Sequence, residues 1–245
     1  MLQLDPNQSL AQLQSYIPPS APRWAAESSR WAPVRHIDFA EAVLRGAERR
    51  GMRPRTQAWE VNEGGHGLVG TIQFEADDRW PKEVVPSIAV RHSNVGRHAV
   101  TIAIGAVVLI CSNGMLVGEV VLKQRHTVGL DLDVLVEEGL NRFARSGPQT
   151  GAFIDRLRAT PFAPAHNDRI LIAAARAGLV PWSMLKHVDA ALRDPPSTEL
   201  GQPTGWSVYN AFTEAIKRRS GRGQFESLRG LSSLFSESSL ERLHA

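Results

Sequence analysis

Two apolar runs rich in β-branched residues, Ala99–Cys111 and Leu116–Thr127, flank Ser112-Asn113-Gly114 and commit the middle of the chain to a pair of antiparallel strands. The first run, about 13 residues, is too short to cross a bilayer as a helix. A three-residue loop with Gly114 in the left-handed position predicts Cys111 opposite Met115 and Val100 opposite His126. Strand alternation then places Ile102, Ile104, Ala106, Val108 and Ile110 on a core face with Val120 and Leu122. Thr101, Ala103, Gly105, Val107 and Leu109 share the other face with Val121, Lys123 and Arg125, which makes its far end small and basic. A two-residue loop would set Lys123 and Arg125 beside Ile102 and Val100 and bury charge, so it is rejected.

The same patterning extends outward. Residues 1–35, with Pro18, Pro19, Pro22 and Pro33, read as an extended arm anchored by Trp24 and Trp31. A helix is predicted from Asp38, a candidate cap, to a stop at Gly51. Thr56–Asn62 and Leu68–Glu75 form strands about the turn Glu63–Gly67, and Val84–His92 is a further strand. After Leu130 the spacing becomes helical through Val134–Phe143, Phe153–Leu157, Ile170–Ala177, Trp182–Leu192 and Trp206–Arg219. Ser-Gly-Arg-Gly then reads as a break before an apolar-faced tail, Phe225–Leu243. The expected fold is α+β: about five antiparallel strands packed against helices, with a mostly helical C-terminal half. The expected organisation is an arm over 1–35, one core domain over 36–220 and a tail over 221–245.

Net charge is only +3, but it is segregated. Residues 41–55, 84–127 and 215–229 carry +3, +3 and +4, which leaves −7 for the remainder. Such a distribution suits a polyanion-binding surface, although helix ends and solvated faces also collect arginine. A single cysteine excludes an internal disulfide, and Met1–Asp5 has no signal-peptide character, so a cytoplasmic protein without a membrane partner is expected.

Catalytic patterns are weak. Cys111 and His126 could suggest a nucleophile and its base, but the hairpin holds them on the order of 30 Å apart. No His-x-x-x-His, Cys-x-x-Cys or His-Glu-x-x-His spacing exists, and Gly64–Gly67 and Gly221–Gly223 are not P-loops, so no metal or cofactor is expected. Asp131, Asp133, Glu137 and Glu138 match the N-terminus of a helix. Asn210 and Glu214, four apart on one helix face, could join His126 in a cleft or could simply brace the fold. Arg91-His92-Ser93-Asn94 with Arg97-His98 closes a strand and opens a turn, mixing the side chains that contact phosphate and sugar oxygens or that build an Asx turn.

Arg91-His92-Ser93-Asn94, Cys111-Ser112-Asn113-Gly114, Arg125-His126-Thr127 and Trp206-x-x-x-Asn210-Ala211-x-Thr213-Glu214 together resemble the phage- and plasmid-related proteins grouped as a domain of unknown function. The resemblance runs from about Trp59 to Arg219 and implies a mobile-element, DNA-metabolism setting. The order of helix, antiparallel strands and long helix is also similar to the ring-forming single-strand annealing recombinases of phages, an architectural likeness only. The resulting expectation is non-enzymatic binding of single-stranded DNA, with annealing by a homo-oligomer. Arg91, Arg97, Lys123, Arg125, His126, Lys217, Arg218 and Arg219 are the candidate contacts. With only two tyrosines, no stacking aromatic is evident. The rival expectation is a module that inhibits or recruits a host protein through the arm and the tail.

Overall fold

The computed structural model describes residues 2–3, 10, 13, 30–108, 113–219 and 221–236. The fold is α+β, with the helices concentrated in the C-terminal half. The strands, β1 (Leu2–Gln3), β2 (Pro54–Asn62), β3 (Gly67–Phe74), β4 (Val84–Ser93), β5 (Val100–Val108) and β6 (Asn113–Gln124), lie in sequence order across one sheet. Strand β1 lies within the segment read as an arm and pairs with β2, Leu2 opposite Val61. The helices are α1 (His36–Arg49), α2 (Leu132–Ala159), α3 (Pro164–Arg176), α4 (Leu185–Arg193), α5 (Gly205–Ile216) and α6 (Gly221–Leu234). The chain divides into two compact units, one of residues 1–77, 86–104 and 120–145, the other of 78–85, 105–119 and 146–245.

In the first unit, α1 starts two residues before the predicted cap: Asp38 stands in its first turn, and Gly51, at φ 67°, stops it. Helix α2 lies against α1 at Gly46, where a Cβ would come within 2.7 Å of Leu140 and 2.8 Å of Val136. It meets the sheet at Gly139, beside Ile102 and Leu122 of the predicted core face. Phe143 adds a ring contact to Phe74 at 5.3 Å. Strand β3 alternates buried and half-buried residues, as a sheet with one deeply covered face requires. Strand β4 is buried almost throughout, and its Pro86 lies just outside the stretch that pairs with β3.

Trp59 faces Gly70 across the β2–β3 ladder, and a Cβ on Gly70 would overlap the indole. Gly70→Ala is therefore expected to destabilise the protein by about 1–3 kcal/mol, read from the urea midpoint. A variant as stable as wild type would show that the ring can move aside.

The central pair departs from the prediction at its turn. Strand β6 already begins at Asn113, so Asn113 and Gly114 belong to a strand and not to the turn. Residues 109–112, including Cys111, lie outside the described residues. Val100 to Ala106 are all buried, so β5 is covered on both faces rather than open on its small one.

In the second unit, α5 is buried along nearly its whole length, and Thr204 caps it by accepting from the Ser207 N–H. Trp206 stacks on Tyr209 at 6.2 Å, and Phe235 and Phe153 meet the Tyr209 ring edge-on at 5.2 and 5.4 Å. Helix α2 continues through Gly147-Pro148, where the apolar spacing lapses. Gly147 belongs there because any Cβ would overlap the Arg79 carbonyl. Helix α6 begins at Gly221, so the Gly-Arg-Gly read as a break lies in its first turn.

Candidate nucleic-acid interface

The Arg91–Asn94 and Arg125–Thr127 motifs converge in the first unit on a buried histidine cluster. His36 donates from Nε2 to the Gly65 carbonyl at 2.9 Å, and its Nδ1 lies 2.9 Å from His92 Nε2. A carbonyl can only accept, so a neutral His36 must receive the His92 Nε2–H, leaving His92 Nδ1 as a bare lone pair. That atom is buried and has no hydrogen-bond partner among the described residues. The His126 ring lies 5.4 Å from that of His92, centre to centre, with Trp31 stacked on it at 6.3 Å. Burial lowers all three imidazole pKa values, with His92 well below the ordinary histidine value. The carbonyls of Ala32 and His98 stand close enough to His126 to oppose part of its shift, though neither completes a well-aligned hydrogen bond. Among the described residues, no three histidine, cysteine or acidic side chains stand where they could hold a metal ion.

The cluster also fastens residues 30–36. Asn94 accepts the Val34 N–H at 3.0 Å and donates to the Val34 carbonyl at 2.9 Å, pairing as another strand would. Val128 N–H donates to the Arg30 carbonyl at 3.0 Å. Arg91, Ser93, Asn94 and His126 are thus beneath the surface, with Arg91 at 5% and His126 at 6% exposure.

Beside this buried hub the remaining cations face water. Strands β5 and β6 are neighbours in the sheet, and the approach of the His98 carbonyl to His126 places residues 97–98 beside 125–126. Arg97, Lys123 and Arg125 are exposed there, and none has an acidic partner among the described residues. The 41–55 cluster differs. Arg49 and Arg50 both engage Glu137, the former at 2.8 Å, and Arg45 engages Glu41 and Asp133. An open cleft of about 680 Å³, unforeseen in the sequence, adjoins them, but its Glu41 and Glu48 offset its Arg45 and Arg53.

Lys217–Arg219, Trp206, Asn210 and Glu214 belong to the second unit. Lys217 is paired with Glu214 at 2.8 Å, Arg219 donates to the Leu179 carbonyl at 3.0 Å, and Arg218 is exposed. Asn210 is buried and donates to the Trp206 carbonyl at 2.9 Å, so the Trp-x-x-x-Asn motif closes on its own helix. Asn210 and Glu214 line a cavity of about 10 Å³, roughly room for one water molecule and no substrate.

Residues 25–232 match a family model described as a domain of unknown function (DUF932), and the chain belongs to that family. No curated protein and no solved structure matches it. Among the described residues, no helix is long and apolar enough to cross a membrane.

Proposed function

We propose that this member of the DUF932 family binds single-stranded DNA without altering it covalently, in phage- or plasmid-type DNA metabolism. The reading is carried by one observation: Arg97, Lys123 and Arg125 come from separate chain segments to one end of the sheet, exposed and without acidic partners among the described residues. Phosphate attracts such cations through long-range Coulomb forces and rewards their neutralisation by releasing counterions. Arg91 and His126, in this reading, hold the two cationic segments together from below. Annealing requires two strands held side by side and therefore a homo-oligomer.

Fluorescence anisotropy of a labelled oligo(dT) tests the proposal. Affinity should fall steeply with salt, and Arg97→Ala/Lys123→Ala/Arg125→Ala should reduce the slope of log K against log salt by about 2, from a contribution of about 0.7 per phosphate contact. Binding without salt dependence, or a triple variant with the wild-type slope, would refute it.

A further inference from the structure

We propose that Trp182 is a platform on which bases of a bound single strand stack, with Arg176, Lys186 and Arg218 as its flanking cations. This rests on the single-strand reading above and adds a second contact surface in the other unit. Trp59, Trp80 and Trp206 are buried, at 1%, 6% and 1% exposure, and Trp31 is half-buried against His126. Trp182 is 61% exposed. An indole left in water forgoes the burial that makes tryptophan useful in a core.

Its surroundings are fixed from two sides. The chain leaves α3 at Arg176, reverses at Gly178 with φ 69°, and re-enters helix at Trp182 after Pro181. Trp182–Met184 run directly into α4, which places Lys186 one turn on from the indole. Between them stands Leu179, whose carbonyl accepts from both Arg219 and Ser227. Gly230 is packed so closely on the Leu179 side chain that a Cβ would overlap it. Those contacts bring residues 217–219 to the connection that carries Trp182.

The charge around the indole is not self-cancelling. Arg176, Lys186 and Arg218 are exposed and make no ion pair among the described residues. Asp189 is taken by Arg193 at 3.0 Å and Glu214 by Lys217 at 2.8 Å. An exposed indole on a connection flanked by unpaired cations favours a polyanion that presents flat rings, which a single strand does and a duplex does not. Stacking on one aromatic contributes about 1–3 kcal/mol per base, or roughly 5- to 150-fold in affinity.

Oligo(dT) and an abasic strand of equal length are titrated against wild type, Trp182→Ala and Trp182→Phe, with far-UV circular dichroism confirming that the variants fold. Trp182→Ala should weaken oligo(dT) binding by about 5- to 150-fold with the salt slope unchanged, Trp182→Phe should weaken it less, and the abasic strand should be insensitive to either change. Wild-type affinity in Trp182→Ala, or an equal loss with the abasic strand, would overturn the platform. If Trp182→Ala is silent while the Arg97/Lys123/Arg125 variant loses binding, the platform falls and the sheet-end site stands. If wild type binds no single strand, both fall. Loss of association with a protein, with oligonucleotide binding intact, would reassign Trp182 to a protein interface and equally overturn it.

Discussion

Between pH 7 and pH 5 the protein is expected to lose stability steeply, by up to about 1.4 kcal/mol per pH unit for each histidine that the fold keeps neutral. His36, His92 and His126 all have folded pKa values below that of an exposed imidazole, with burial as the largest cause. Well above the unfolded pKa of about 6.5 neither state carries these protons, and stability is indifferent to pH. Below it the unfolded chain binds protons that the folded chain refuses, so stability falls as pH falls, until the folded pKa values are reached. The loss therefore sets in as pH falls through about 6.5, with His92, held furthest below the ordinary value by its burial, contributing over the widest range.

The charged neighbours that act most on these imidazoles are other histidines, which oppose a further proton. His36 faces His92, His66 and the Gly65 carbonyl; His92 faces His36, Phe39 and His126; His126 faces Trp31 and the backbone of Ala32 and His98. The other strongly shifted acid–base group of this unit acts elsewhere on the pH scale. Arg50 and Arg49 hold Glu137 at about 2, so its contribution is present above the ordinary carboxylate value of 4.5 and is lost only as pH falls towards 2. Urea midpoints measured from pH 8 to 5 should therefore fall before any carboxylate titrates. A flat profile across that range would contradict the neutral histidine cluster. Amide exchange should quicken first at Val34 and Val128, whose N–H groups fasten residues 30–36.

Asn94→Ala is expected to cost about 2–4 kcal/mol. The side chain is 2% exposed and satisfies both backbone groups of Val34, so its removal orphans a buried N–H and a buried carbonyl together. Denaturant midpoints measure the loss, and exchange at Val34 localises it. A change below about 0.5 kcal/mol would show that water replaces the amide without penalty.

The strands and helices were legible because their signals are local. β-Branched runs mark β4 and β5, Gly51 marks the end of α1, and the apolar spacing from Trp206 marks α5. Gly114 supplies a turn signal, yet it stands inside β6, where a glycine signal by itself does not mark a reversal. The candidate site was harder to read, since burial is set by tertiary packing. Arg91-His92-Ser93-Asn94 has the composition of a phosphate-binding turn, yet His92 and Asn94 are buried against partners some 60 positions away, His36 and Val34. Neutralisation is equally nonlocal: nothing near Arg49 in sequence announces that Glu137, 88 residues on, will occupy it. Trp182 carries no pattern that separates it from the buried tryptophans, yet it is exposed.

Photo-crosslinking of a bromodeoxyuridine oligonucleotide, followed by peptide mass mapping, probes the sheet-end contact most directly. Crosslinks are expected on peptides that carry Arg97 and Lys123–Arg125, and they should vanish as salt is raised. A strand that fails to crosslink, or that maps instead to the neutralised arginines of residues 41–55, would contradict it.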